Sequence, residues 1–303
     1  MVFSSLEFIF IFLPVIMTAY AAADKKYRTV ILSIASVIAG FAVFYILRLT
    51  KPLHIIIFAL AVLFMFIQAR TASKTEYRNL IIFAGSIIFY SFGVGKAIYI
   101  LLFLLTVLLN FIVGQFIEHS RYVKKLWLIF GILFNFWWLI FFKYWTFGTE
   151  NINHLFHQSL TVKNILLPIG ISFYTFQNVS YIIDVYRGRS KAEKNLINYG
   201  AYITMFPQLI AGPIVTYDHV AKELKNRTHT IQKVEDGLKT FTIGLGYKVL
   251  LANQLGHLWN DISSIGYESI SSKLAWMGIF AYSFQLYFDF CGYSLMAKST
   301  RIL

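Results

Sequence analysis

Side chains able to do chemistry gather in three stretches that are otherwise apolar. Residues 165–189 read ILLPIGISFYTFQNVSYIIDVYRGR. On a helix, Tyr174, Gln177, Asn178, Tyr181 and Asp184 would lie near one side, because positions three and four apart are neighbours. Hydroxyls, amides and a carboxylate on one helix face can hydrogen-bond a polar substrate. Asp184, with Arg187 three residues on, reads either as a helix-end salt bridge at the headgroup level or as part of a polar tunnel wall. A second acid, Asp289, stands in FQLYFDFCGYS (residues 284–294). A carboxylate in such a run faces the protein interior or a cavity, and structural pairing and catalytic support are equally open for it. The third stretch, 196–215, carries Tyr199, Gly200, Tyr202, Thr204, Pro207, Gln208, Gly212 and Pro213.

Metal and nucleophile chemistry find little else. Most of the seven histidines flank apolar runs. His154 and His157 are three apart with only Glu150 near, too few ligands for a metal. His257 ends a run without a neighbouring partner. Cys291 is the single cysteine, which excludes an internal disulfide and any cysteine metal cluster. Gly244 and Gly246 are too few to cradle phosphate and read as a helix-packing face.

The elements that must position these groups are membrane helices. Of 303 residues, 58% are hydrophobic and 14% charged, against about 25% charged in an ordinary soluble domain; mean hydropathy is +0.64. Apolar runs at 5–23, 29–47, 53–69, 79–93, 97–117, 126–142, 165–185, 196–215, 237–257 and 274–292 predict an all-α, polytopic protein forming one transmembrane domain over 1–303. Lipid offers no partner to exposed backbone groups, so these runs are helices. The N-terminal run lacks a basic leader and keeps Glu7, as a retained helix would. The +13 charge lies in short loops between runs, as topology-setting charge does, and argues against nucleic acid as a partner.

Those charges also bear on 196–215. Two prolines and two glycines break a continuous helix there. If the N-terminus is outside and 196–215 dips in and returns, 20 of the 27 Lys and Arg fall in cytoplasmic loops and six outside, with Lys248 inside a run. If 196–215 crosses, the split is 14 against 12. The positive-inside bias favours a re-entrant segment, nine crossings and a cytoplasmic C-terminus. Broken helices of this kind sit buried in protein or line a watery cavity.

The motifs VFSSLEFIFIFLP (2–14), RNLIIFAGSIIFYSFG (78–93), LLPIGISFYTFQNVSYIIDVYRG (166–188), MFPQLIAGP (205–213) and FQLYFDFCGYSLMA (284–297) resemble the bacterial membrane-bound O-acyltransferase family. The resemblance is to its alginate and polysaccharide O-acetylation branch, with the teichoic acid D-alanine exporter more distant. The resemblance implies a ring of tilted helices around a tunnel in the cell membrane. It further implies transfer of an acyl group, acetyl in this branch, to a cell-surface polysaccharide or to an extracytoplasmic acetyltransferase partner. The donor would be acetyl-CoA or another acyl carrier, a substrate rather than a bound cofactor. Tyr174, Gln177, Asn178, Asp184, Pro207, Gln208, Gly212, Pro213 and Asp289 would border the tunnel or its cytoplasmic funnel.

Two departures from the family pattern stand out. Extra apolar segments fill 24–77, ahead of the core motifs in 165–297. The family's catalytic His, in a Trp-His segment after the FDFxGYS motif, has no counterpart, and a polar tail (Lys298, Ser299, Thr300, Arg301) replaces the expected helix continuation. The expectation is an N-terminal portion of the enzyme, inactive without a C-terminal half. The rival readings are a transporter that binds substrate at its broken helix and a non-catalytic membrane scaffold.

Overall fold

A computed structural model describes residues 4–21, 28, 30, 59, 63, 67, 70–94, 96–156, 165–209, 215–227, 230–266 and 269–302. Most of the 24–77 stretch, with the runs 29–47 and 53–69, lies outside the described residues, as do Gly212 and Pro213. No strand occurs among the described residues.

A π-helical turn, Phe8–Phe12, opens into α1 (Leu13–Ala21). Three long helices follow: α2 (Lys74–Val94), α3 (Ala97–His119) and α4 (Lys124–Phe156). These three are long and apolar enough to cross a membrane. On α4 a narrow stripe is covered, through Gly131, Asn135, Leu139 and Thr149, while Leu133, Trp137, Ile140 and Phe147 stay exposed, as on a lipid-facing helix. The stripe meets α3 through a reciprocal amide pair: Asn135 Nδ2 donates to Asn110 Oδ1 (2.7 Å) and Asn110 Nδ2 to Asn135 Oδ1 (3.1 Å). Polar pairs of this sort hold membrane helices together where hydrophobic burial gives no preference.

The run 165–185 becomes helical only at Ile171, after Gly170 takes a left-handed φ of 74°. This α5 (Ile171–Tyr186) has 16 residues, about 24 Å of helix. The predicted break in 196–215 is present: α6 (Leu196–Thr204) ends at Met205 (φ −44°, ψ 107°), and α7 (Phe206–Leu209) is a single turn. Pro207 sits in the first turn of α7, where a missing N–H costs nothing. After α8 (Tyr217–Lys225), α9 (Ile231–Gly246) runs through a π-helical stretch, Tyr247–Ala252, into α10 (Asn253–Ile265).

The last helix, α11 (Ser272–Ile302), corrects one expectation. Residues 298–301 do not end the helix as a polar tail; they continue it, with Ser299 fully buried and its hydroxyl donating to the Met296 carbonyl. A hydroxyl that turns back onto its own helix needs no water. α11 packs on α9 at Gly244 and Gly292, where a Cβ on either would stand 2.7 Å from the other's carbonyl oxygen. The packing role read from the sequence therefore belongs to Gly244. Gly246 has open space around it.

Candidate functional site

The polar face of α5 is buried as a unit, with Tyr174, Gln177, Asn178 and Tyr181 all turned into the core. Its partners come from the broken segment. Tyr199 Oη donates to Asn178 Oδ1 (2.6 Å), and Gln177 Nε2 donates to the Tyr202 carbonyl (3.1 Å). Asn178 Nδ2 donates back to the Tyr174 carbonyl (2.8 Å). These bonds satisfy polar groups that would otherwise be costly to bury. Around them the rings of Tyr181, Tyr199, Tyr202 and Tyr217 pack at centroid distances of 4.7–6.4 Å.

Both ends of the broken segment meet at Glu193, a buried carboxylate. Tyr217 Oη donates to Glu193 Oε2, and the Asn195 backbone N–H donates to Oε1 (3.0 Å). The Glu193 N–H in turn donates to Tyr181 Oη (3.0 Å). Burial, and then the Glu193 carboxylate, push the Tyr217 phenol above its ordinary pKa. Further along, Tyr202 Oη donates to the Val215 carbonyl (2.9 Å). At the far end Leu209 reaches Gly170, where a Cβ would lie 2.6 Å from the Leu209 carbonyl oxygen. Residues 196–209 thus run the length of α5, and the chain is back at Glu193 by Tyr217.

The break between α6 and α7 carries the unusual chemistry. Phe206 wedges among Phe8, Phe12 and Phe89, with ring centroids 5.4–6.1 Å apart, and its N–H donates to Ser86 Oγ (3.1 Å). On either side of this anchor, Thr204 Oγ1 and Gln208 Oε1 are buried without a hydrogen-bond partner. Most buried polar atoms are satisfied, so two unpaired ones flanking a helix break mark a place where a polar ligand would be welcome. Thr204 belonged to the broken segment but carried no role in the sequence reading; its signal was position beside Pro207, not residue type.

The other candidates separate from this centre. Asp184 is half-buried, and no ion pair links it to Arg187 among the described residues; its carbonyl instead accepts the Arg189 N–H (2.9 Å) in the turn at Gly188. Asp289 pairs with Lys248 Nζ across α11 and the π-helical stretch. The sequence showed both charges inside apolar runs without joining them. His119, His154, His219 and His257 are exposed. No group of His, Cys, Asp and Glu among the described residues could hold a metal.

Comparison with known proteins gives this arrangement a context. The membrane-bound O-acyltransferase family profile matches residues 191–302, which cover the broken segment and everything after it. A probable alginate O-acetylase (AlgI) of Pseudomonas aeruginosa is 37% identical over 301 residues, 98% of this chain and 48% of that protein. A peptidoglycan O-acetyltransferase of Helicobacter pylori is 34% identical over 201 residues, 57% of this chain and 38% of its own length. A teichoic acid D-alanyltransferase of Lacticaseibacillus rhamnosus is 31% identical over 152 residues, 46% and 37% of the two chains. The chain spans about half the length, or less, of these relatives.

Proposed function

The chain belongs to the membrane-bound O-acyltransferase family, in its alginate and polysaccharide O-acetylation branch, and from that premise we propose that it builds the tunnel of an acetyl-transfer machine in the cell membrane. An acetyl group from acetyl-CoA or another acyl carrier is passed to a cell-surface polysaccharide hydroxyl, or to an extracytoplasmic acetyltransferase that completes the transfer. The observation that carries this reading is similarity to a polysaccharide O-acetylase along 98% of the chain.

In this proposal 196–215 is re-entrant: it enters from the cytoplasmic side, turns at Pro207 and leaves on the same side, with the N-terminus outside and nine crossings in all. The Glu193–Tyr217 bond supports that path, because the ends of a spanning helix of 20 residues stand about 30 Å apart. Thr204 and Gln208 line the tunnel at the turn, with Tyr174, Gln177, Asn178 and Pro207 shaping its wall; Gly212 and Pro213, outside the described residues, are assigned to it by the resemblance alone. Asp184 stands at the cytoplasmic funnel, and Asp289 fixes α11 beside it through Lys248. In this reading the buried polar face of α5 and the broken segment position substrates, and the four described histidines, all exposed, are not part of that wall.

The test is genetic and chemical. Disrupting the gene in its host and measuring O-acetyl groups on the surface polysaccharide by proton NMR should show their loss, with recovery on complementation. Unchanged acetylation overturns the proposal.

A further inference from the structure

Far from the turn of 196–215, two guanidinium groups close on one aromatic ring. Arg78 Cζ lies 4.9 Å from the centroid of Tyr20 and Arg227 Cζ 5.8 Å from the same centroid. Arg227 is held in place by neutral groups: Nη1 donates to Tyr20 Oη (2.9 Å), Nη2 to Asn79 Oδ1 (2.8 Å) and Nε to the Glu223 carbonyl (3.0 Å). Asn79 is itself fixed, its Nδ2 donating to Asn198 Oδ1 (2.8 Å) and the Leu224 carbonyl (3.2 Å). Arg78 differs, for its Nε is buried without a hydrogen-bond partner.

Neither arginine has a carboxylate within ion-pair reach among the described residues. Two half-buried like charges sharing one ring repel each other and have lost water. An unpaired buried N–H adds to that cost. A single dianionic or monoanionic oxygen cluster between them would remove all three penalties, and the planar fork of arginine suits phosphate oxygens. The cluster joins the end of α1, the start of α2 and the chain just past α8, a helix whose Lys222 is paired with Asp218. The charge bias places this end at the cytoplasmic face.

We propose that Arg78 and Arg227, mounted on Tyr20 and Asn79, form a binding site for a phosphate group at the cytoplasmic membrane surface. Two sources carry that chemistry there: an anionic lipid headgroup and a soluble phosphate ester such as coenzyme A. The site's chemistry stands on these contacts, while its placement at the cytoplasmic face rests on the topology proposed above.

The experiment uses the detergent-purified chain and three variants: Arg78→Gln, Arg78→Lys and Arg227→Gln. Arg227→Gln also removes structural bonds. Arg78→Gln removes no hydrogen bond among the described residues and only the contact with the Tyr20 ring, so it isolates the site if the other variant fails to fold. Binding is read by calorimetry with coenzyme A, and by thermal midpoint in nanodiscs of phosphatidylcholine with or without phosphatidylglycerol. The expected result is that one probe binds wild type, that Arg78→Gln weakens it about ten-fold, and that Arg78→Lys recovers only part. Coenzyme A binding identifies a soluble ester, and a phosphatidylglycerol-dependent rise in midpoint identifies a headgroup. If neither probe distinguishes wild type from Arg78→Gln, the site does not exist.

Discussion

Tyr217 donates its hydroxyl hydrogen bond to Glu193 across 24 residues of chain, so the segment between them leaves and returns to one point. Asn195 adds its N–H to the same carboxylate and caps α6 with its side chain, which accepts from the Ile197 N–H (2.8 Å). Removing the hydroxyl with Tyr217→Phe leaves the buried carboxylate short of a donor and should cost about 2 kcal/mol. Glu193→Gln keeps an acceptor and should cost less than Glu193→Ala. Thermal midpoints in detergent would check the order Ala worse than Gln.

The same phenol predicts a pH effect. Its pKa is raised in the folded protein by burial and by Glu193, so the fold favours the protonated form. That stabilisation is complete below the unfolded value of 10.0 and is lost as pH rises past it. Tyr217→Phe, which cannot titrate, should show a flatter decline in midpoint at alkaline pH than wild type. Identical slopes would mean that Tyr217 contributes nothing there.

The α9–α11 contact makes a prediction with a built-in control. Gly244→Ala puts a Cβ 2.7 Å from the Gly292 carbonyl oxygen, and backbone cannot swing aside. A loss of about 1–3 kcal/mol is expected, seen as faster proteolysis of the 231–302 hairpin. Gly246→Ala, with nothing within 4 Å, should be neutral or slightly stabilising through helix propensity.

Lys248 and Asp289 are partly open in this structure, with side-chain exposures of 23% and 44%. Breaking the pair from one side strands a partly covered charge, so Asp289→Asn should destabilise by up to about 1 kcal/mol. Lys248→Met with Asp289→Leu should be milder than either single change. A double-mutant cycle on midpoints reads the coupling, and additive effects would show that the two charges do not act together.

How much of this was legible beforehand depends on what each signal reports. The helical runs were visible because hydropathy acts over 20 residues, and the break was visible because proline and glycine act locally. The buried face of α5 followed from spacing at three and four. Four things were not readable: that Tyr217 reaches Glu193, that Lys248 meets Asp289, that Ser299 stays helical, and that Thr204 and Gln208 are left without partners. Each depends on tertiary contacts between segments distant in sequence, or on a hydroxyl turning back on its own helix. Asp184 shows the opposite failure. Its spacing to Arg187 left a bridge and a tunnel wall open, and no bridge forms although Arg187 still has helical geometry (φ −76°, ψ −6°), because its side chain stays exposed.

The central claim is that 196–215 is a re-entrant wall of the tunnel, and topology tests it most directly. Cys291 is the only cysteine, so a Cys291→Ser background accepts single cysteines at Lys194 and Thr216, both exposed. A membrane-impermeant maleimide would be applied to intact spheroplasts and to inverted vesicles. Both positions should label in inverted vesicles only. Labelling of the two from opposite sides would mean that the segment crosses the membrane, and the account would be wrong.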